Sequence, residues 1–482
     1  MIEEKIKKTA SGAQQFEVRQ EIFFEPEMRQ VRYRIETYIF SPVSLQLNSQ
    51  NYKPVDCLQL FKNYIRLRAP SLDLSKLVKG SEPEQRLEQA FEFYQRMPEC
   101  TDETVFMTAC KLFALTFKRS IRLKERDLSR QEHLTESDIQ TYIDQVNEAL
   151  DCYRSKREKL RELGQKLNSE CDRFCDEYIT TTLLHFTQRL MKSIHDEGLK
   201  QPLKVFWDDQ YRYLQTNHPQ SLYEGEHADE RTLYRWRQLT RYVDSYLFLN
   251  IKSHTGPTML VHSLYGIAAA VSMIFATVIA FVWQGQYGAL STNLFLALVI
   301  GYIFKDRIKD MLREKLAKKF RRWIPDRRLE ILRDDTHNVG ECKESFEFLD
   351  EKSLPASIRI LREGAQSEKG VYDWRFDNVL RYKKEMSIRT DASLFNDTRY
   401  ALLDTTWFNI APFLKFIDAS RDALPIANPE TMDVPVAEKI YHLYFVRRLI
   451  KVTLKGEETI KDEVIRVVIN HDGIKRIQAL DS

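Results

Sequence analysis

The sequence predicts a membrane-anchored α+β protein, because three different patterns follow one another along its 482 residues. A mixed, then long-helix (coiled-coil-like) region comes first, a stretch without Asp, Glu, Lys or Arg occupies 253–304, and a segment rich in β-branched and aromatic residues ends the chain. The charge-free stretch is long enough for a two-helix transmembrane hairpin. The last segment predicts a C-terminal, mostly antiparallel β-rich domain.

The composition indicates that most of the chain is water-soluble, since 43% of the residues are hydrophobic and 30% are charged. The net charge of +3 is unevenly distributed. Between Lys305 and Arg328 there are eleven basic and four acidic residues, so the rest of the chain is net negative. Basic charge concentrated beside an apolar stretch is typical of a membrane-facing segment. We therefore expect a lipid bilayer with an anionic inner leaflet as a partner, and no nucleic acid.

The seven cysteines indicate reduced thiols in the cytoplasm, because their number is odd and no CxxC pair is present. The first twenty residues contain no apolar core and so do not resemble a cleaved signal peptide. Both observations favour a chain whose soluble parts stay inside the cell.

Residues 1–80 predict a small α+β module, in which the alternation from Gln30 to Phe40 is typical of a half-buried antiparallel strand. Residues 81–252 predict a helical bundle or coiled-coil-like region, and Thr135 with Asp138 provides a helix-capping signal there. A heptad stripe follows, and Arg157 and Gly164 interrupt it. It seals either a bundle within the chain or a dimer. Its members are Ile139, Ile143, Val146, Leu150, Tyr153, Leu160, Leu167, Cys171, Phe174 and Tyr178.

Residues 257–304 predict the transmembrane hairpin, with spans at about 258–283 and 289–304 and a short polar link between them. Basic residues flank both outer ends of the hairpin, whereas the link has none. The positive-inside bias therefore predicts a multi-pass protein of the cell inner (plasma) membrane with both termini in the cytoplasm.

Small side chains recur every four residues in both spans, which predicts close helix packing in lipid. The alternative is that alanine is simply common in apolar helices. The spans offer too few polar groups for transport or a proton relay. The proposed packing residues are Ala268, Ser272, Ala276 and Ala280 in the first span, and Ala289, Asn293, Ala297 and Gly301 in the second.

Residues 305–333 predict a basic amphipathic juxtamembrane helix, because apolar residues recur there at helical spacing among lysines and arginines. It either lies on the anionic inner leaflet or continues the second span as a packed stalk. The expected lipid-surface contacts are Lys309, Arg313, Lys318, Lys319, Arg321, Arg322 and Trp323.

Residues 340–482 predict the C-terminal cytoplasmic domain, a β-rich α+β unit of a size that supports its own core. Asn470 to Gly473 is a tight-turn sequence between two strand patterns and predicts a hairpin.

The sequence predicts no catalytic residue, no cofactor and no metal. Glycine-rich phosphate loops, zinc-spaced Cys and His and the common hydrolase signatures are absent from the sequence. Three weak clusters remain in which metal or thiol chemistry is conceivable. The alternative is an acidic loop for the first cluster, a linker for the second and core packing for the third. They are His218 to Glu230; Asp334, Asp335, His337, Glu341 and Cys342; and Cys171 with Cys175.

The sequence therefore favours a non-enzymatic scaffold, regulatory or signal-coupling protein that uses the hairpin as an anchor. Its cytoplasmic domains are expected to bind a protein partner or a second copy of the chain. One alternative is a membrane-tethered enzyme with its site in the C-terminal domain, and a second is an oligomeric channel component.

Overall fold

The computed structural model shows an α+β fold with a large antiparallel sheet. The described residues are 2–8, 14–23, 30–70, 72–77, 80–96, 104–131, 133–162, 169–223, 225–254, 259–287, 292–320, 324–333, 337–365, 375, 377–389, 401–417, 421–423, 434–452 and 458–480. The strands are β1 (Ile2–Lys8), β2 (Gln15–Phe23), β3 (Gln30–Ser41), β4 (Phe61–Arg68), β5 (Asn250–His254), β6 (Arg327–Arg333), β7 (His337–Leu349), β8 (Asn378–Arg389), β9 (Ala401–Asn409), β10 (Arg421–Ala423), β11 (Val436–Glu438), β12 (Tyr441–Val452), β13 (Glu458–Asn470) and β14 (Gly473–Leu480). The helices are α1 (Pro54–Cys57), α2 (Glu82–Arg96), α3 (Thr104–Leu128), α4 (Glu136–Glu162), α5 (Ser169–Ser193), α6 (Glu197–Asn217), α7 (Ala228–Asp244), α8 (Met259–Tyr287), α9 (Thr292–Phe320), α10 (Ala356–Gly364) and α11 (Ala411–Leu414).

Within the described residues, eight strands form the large sheet in the order β14-β13-β12-β3-β8-β7-β6-β5, and a smaller sheet has the order β1-β2-β9-β4. All strand pairs in both sheets are antiparallel. The predicted strand at Gln30–Phe40 is confirmed as β3, with Val31, Tyr33 and Ile35 buried. The predicted C-terminal hairpin is also confirmed, since Asn470 pairs with Gly473. Gly473 has a φ of +126°, which a residue with a Cβ adopts only with strain.

Both sheets combine strands from the two ends of the chain. The N-terminal strand β3 lies between β8 and β12, and β9 lies between β2 and β4. The two end regions inferred from the sequence, 1–80 and 340–482, therefore share their sheets. Their exact boundaries stay a prediction.

The two sheets face each other across an apolar core. Phe61 of β4 lies against Tyr382 of β8, with ring centroids 4.1 Å apart, and Phe16, Phe408 and Phe445 pack in the same cluster. A second core connects the helices α2–α7 with strands of both sheets. This second core places the helical bundle directly on the sheets.

The described residues of the heptad stripe in α4 and α5 are buried or half-buried within the chain, and the side chain of Leu160 and all of Leu167 lie outside the described residues. Its α4 residues Ile139, Val146, Leu150 and Tyr153 belong to the core that α3 and α5 share with the sheets. The capping signal is confirmed, because the Thr135 amide donates to Asp138 Oδ2 (3.0 Å) and the Asp138 amide donates to Thr135 Oγ1 (3.3 Å). Packing against the chain's own helices supplies the apolar surface that the stripe needs.

Candidate membrane-anchor site

Helices α8 and α9 are antiparallel and pack against each other over much of their 29-residue lengths. The helix α9 is continuous from Thr292 to Phe320 and so passes through Lys305 without a break. At its other end, the predicted basic helix over 305–333 is wrong, because Arg327–Arg333 form the strand β6. Leu, Lys, Arg and Glu are good helix formers, so nothing ends the helix where the charges begin. This continuity is the geometry of a stalk.

The hairpin has its root at the edge of the large sheet. Strand β5 ends shortly before α8 and strand β6 begins shortly after α9, and the two strands pair from Asn250–Leu332 to His254–Arg328. The His254 ring lies 3.3 Å from the Glu330 carboxylate across this pair. The entering and leaving segments of the chain are thus held side by side by backbone hydrogen bonds.

The face of α8 toward α9 carries the small residues predicted to pack there. Ala268 and Ser272 are 0% and 2% exposed, and Ala276 and Ala280 are half-buried. A Cβ placed on Gly301 of α9 would lie 3.5 Å from the Ile279 side chain, an ordinary van der Waals contact, so the two helices touch there. The side chains of Asn293 and Ala297, and all of Ala289, lie outside the described residues.

A groove of about 560 Å³ lies between the two helices. Three residues of the predicted ridges, Ala276, Ala280 and Gly301, line it together with larger apolar side chains of both helices. Lys305 and Gln284 also line it, and both are polar. The walls of the groove are therefore mostly apolar, and the cationic side chain of Lys305 is part of its lining.

The outer surface of the hairpin is strongly apolar. An exposed apolar patch of this extent indicates contact with lipid or with another protein. Among the described helices, one is long and apolar enough to cross a membrane: the Val261–Gly285 part of α8, with a mean hydropathy of 2.2. The exposed apolar side chains include Ile267, Val271, Met273, Ile274, Phe275, Val278, Phe281, Val282, Phe295, Leu296, Leu298, Val299, Ile300, Ile303 and Phe304.

Two contacts fix the register between the helices. Gly301 lies beside Ile279, and the Arg313 guanidinium lies 3.7 Å above the Tyr265 ring. The residue numbers of each pair add to nearly the same value, as antiparallel helices require. Lys305, the first charged residue of α9, is therefore level with about residue 275 of α8. The charged half of α9 lies alongside the N-terminal half of α8.

Of the expected lipid-surface residues, Arg313 and Lys319 are exposed, and Lys309 is half-buried and lies 3.4 Å from Asp306. The Lys305 ammonium lies 4.2 Å above the Tyr302 ring. The side chain of Lys318 and all of Arg321, Arg322 and Trp323 lie outside the described residues.

A buried ionic network occupies the centre of the helical bundle. Arg157, which interrupts the heptad stripe, donates from Nε to Asp172 (2.8 Å) and from Nη1 to Asp176 (2.5 Å). Asp176 also lies 2.8 Å from His218 Nε2 and accepts from Tyr213 at 2.9 Å. Burial alone would raise the pKa of Asp176, but the His218 and arginine partners lower it to about 2. These contacts keep the carboxylate charged in a water-poor interior.

The two histidines of the segment from His218 to Glu230 lie in different surroundings. His218 is fully buried and contacts Asp176, whereas His227 is exposed on the adjacent turn. In the third cluster, Cys342 is buried in β7 while His337 is exposed, and Asp334 and Asp335 lie outside the described residues. Among the described residues, no group of three or more His, Cys, Asp or Glu side chains has the arrangement of a metal site.

The structure adds a third thiol to the pair Cys171 and Cys175. Cys110 of α3 shares a hydrogen bond with Cys171, and all three side chains are buried. Hydrogen bonds from the two neighbours lower the pKa of Cys171, and burial raises the pKa of Cys110 and of Cys175. An adjacent cavity lined by Cys110 and Arg157 measures about 10 Å³, which is room for a single water molecule.

A second buried polar network lies between the two sheets, and the sequence analysis did not anticipate it. Lys384 donates to Asp404 and to Asn63, and Asn63 donates to the Tyr382 hydroxyl at 2.8 Å. Tyr382 in turn donates to Glu344 (2.5 Å). The five residues come from four strands, of which β4 lies more than 250 residues before the other three, so no local pattern points to them.

No protein-family model matches this chain, and comparisons with curated proteins and with solved structures give no significant match.

Proposed function

We propose that this chain is an inner-membrane protein that is anchored by the α8–α9 hairpin and acts as a scaffold, regulatory or signal-coupling protein. The hairpin crosses the bilayer as two spans, and both soluble parts remain in the cytoplasm. One observation carries the proposal: a helical hairpin with an apolar outer surface projects from the edge of a folded, charged body. Such a surface is stable in lipid and unstable in water.

The orientation is supported by the distribution of basic residues. The exposed side chains Arg231, Arg237 and Arg241 lie on α7, shortly before the hairpin, and α9 supplies the basic cluster after it. The link between the helices contains no Lys or Arg. This asymmetry favours retention of both flanks on the cytoplasmic side.

A coupling role is supported by the contacts at the root of the hairpin. Leu329 and Ile331 of β6 belong to the same core as the helical bundle. The Arg333 guanidinium lies 5.1 Å from the Tyr246 ring, just after α7. A change in the tilt of the hairpin would therefore displace β5 and β6, and these strands contact both the helical bundle and the rest of the large sheet.

Membrane extraction tests the anchor. The full chain is expected to stay with membranes after an alkaline carbonate wash and to require detergent for release. The matched control replaces residues 255–327 by Asn-Gly, which joins the paired residues His254 and Arg328 by a two-residue turn. This shortened chain is expected to be soluble. Release of the full chain by carbonate would contradict the proposal.

Co-purification tests the scaffold role. Two differently tagged copies of the chain are expressed together, extracted in a mild detergent, and isolated through one tag. Recovery of the second copy, or of one partner protein in constant ratio, is expected. A monomer without partner in several mild detergents would contradict the scaffold role and leave the anchor intact.

A further inference from the structure

The charge-free part of α9 is too short to cross a bilayer by itself. It runs from Thr292 to Phe304, which is 13 residues and about 20 Å of helix. The hydrocarbon core measures about 30 Å. The register places Lys305 beside the middle of α8. The greater length of α8 therefore does not compensate for the short apolar part of α9.

A lysine at this depth can keep its charge out of the hydrocarbon at a small energetic cost. Its four-carbon stem extends toward the cytoplasm so that the ammonium reaches the phosphate layer, while the bilayer thins locally. Hydrophobic mismatch of this kind costs only fractions of a kcal/mol per ångström. Lys305 is then the point at which the hairpin meets the phosphates of the cytoplasmic leaflet.

The groove between the helices extends outward from this point. Lys305 lines it, and its α8 wall runs from Met273 to Gln284, a distance of about 16 Å along the helix axis. One leaflet of the hydrocarbon core is about 15 Å thick. The length of the groove therefore matches the acyl layer of one leaflet, and Lys305 lies at its cytoplasmic end.

The charge around Lys305 determines the class of lipid. From Lys305 to Lys315 there are five basic and three acidic residues, and Lys309 already has Asp306 as a partner. The Tyr302 ring supports the Lys305 side chain without neutralising it. A phosphate with a net negative charge fits this environment, whereas a zwitterionic headgroup brings its own cation.

We propose that the groove binds one anionic phospholipid of the cytoplasmic leaflet, with an acyl chain between α8 and α9 and its phosphate on Lys305. This inference rests on the proposed membrane insertion. The lipid fills the space that the small side chains Ala276, Ala280 and Gly301 leave open. It also neutralises the one cation that insertion of α9 brings closest to the hydrocarbon.

Lipid binding to the purified full chain in detergent tests the site. The probes are phosphatidylglycerol and phosphatidylcholine with identical acyl chains, and native mass spectrometry measures the fraction bound. Phosphatidylglycerol is expected to bind at least tenfold more tightly. Lys305→Gln is expected to reduce this preference to less than threefold, and Ala280→Phe is expected to weaken the binding of both lipids. Lys319→Gln, an exposed lysine outside the groove, is the matched control and is expected to keep the preference.

The outcomes separate this inference from the proposed function. Equal affinity for the two lipids, or a preference that Lys305→Gln leaves unchanged, overturns the lipid site while the anchor stands. A chain that leaves the membrane in the carbonate wash overturns both. The site is supported if the preference for phosphatidylglycerol is lost in Lys305→Gln and kept in Lys319→Gln. If Ala280→Phe does not weaken the binding of phosphatidylcholine, the groove is not the location of the site.

Discussion

The Lys384 ammonium lies 2.6 and 2.8 Å from the two carboxylate oxygens of Asp404, and both side chains are almost fully buried between the sheets. Lys384 comes from β8 of the large sheet and Asp404 from β9 of the small one. The Tyr33 hydroxyl donates to the same carboxylate at 3.1 Å. This ion pair fixes how the two sheets face each other, because neither charge has water as an alternative partner.

Lys384→Met is expected to destabilise the protein by about 3–5 kcal/mol, because the Asp404 charge stays buried without its cation. The double variant Lys384→Met/Asp404→Leu is expected to recover part of this loss, since an apolar pair needs no partner. Thermal unfolding followed by circular dichroism measures both. Arg328→Gln, which removes an exposed pair with Glu341, is the control and is expected to cost less than about 1 kcal/mol. A single variant as stable as the control would show that the buried pair does not form.

Acid is expected to weaken the helical bundle through Asp176. Its folded pKa of about 2 lies below the value of about 3.9 of an unfolded Asp. The carboxylate therefore stabilises the fold above pH 4, by about 2 kcal/mol, and this contribution is lost as the pH falls from about 4 to about 2. Asp176→Asn is expected to be less stable at pH 7 and to approach the natural chain at acidic pH. Urea midpoints between pH 2 and pH 7 test this.

Asp209→Asn is the matched control for the acid experiment. Asp209 is exposed on α6 with Arg212 3.3 Å away, so its removal is expected to leave the pH profile unchanged. Parallel profiles for Asp176→Asn and the natural chain would contradict the role of the Arg157 network.

Gly340→Ala is expected to destabilise the large sheet. A Cβ at this position would lie 2.5 Å from the Ser387 carbonyl oxygen and 3.1 Å from Ile388 Cα on the neighbouring strand, and neither backbone atom is free to move. Overpacking of this kind costs about 1–3 kcal/mol. Gly364→Ala is the control, because an added Cβ there meets nothing within 4 Å. Chemical unfolding of the two variants is expected to give opposite or clearly unequal shifts.

Local features of the fold were predictable from the sequence, whereas pairing was not. The alternation of β3, the cap at Thr135 and the turn before Gly473 depend on neighbouring residues only, and all three are confirmed. The partners of β3 are strands β8 and β12, more than 300 residues away. Nothing in an alternating pattern specifies which strand it will join, so the end regions were predicted as separate modules.

The same limit applies to the candidate site. The charge-free stretch could be recognised because it is continuous, and the small-residue ridges because they recur every four residues along one helix. Arg157 was interpreted as an interruption because its partners, Asp172 and Asp176, lie on the next helix. The sequence does not specify whether α9 continues beyond Lys305, since a surface helix and a stalk have the same residue pattern. Only the register between the helices shows that Lys305 lies beside the middle of α8.

Gly301 provides a test of that register. Leucine has a higher helix propensity than glycine by about 1 kcal/mol, so Gly301→Leu would stabilise α9 if the position were open. An added Cβ would lie 3.5 Å from the Ile279 side chain, an ordinary contact that alanine can make, whereas the longer leucine side chain would press on Ile279 or enter the groove between the helices. Gly301→Ala is therefore expected to be tolerated, and Gly301→Leu to lower the melting temperature in detergent. Gly266→Leu on α8 is the matched control, because nothing lies within 4 Å of its Cβ position. If both leucine variants shift the melting temperature equally, the helices do not approach each other at Gly301.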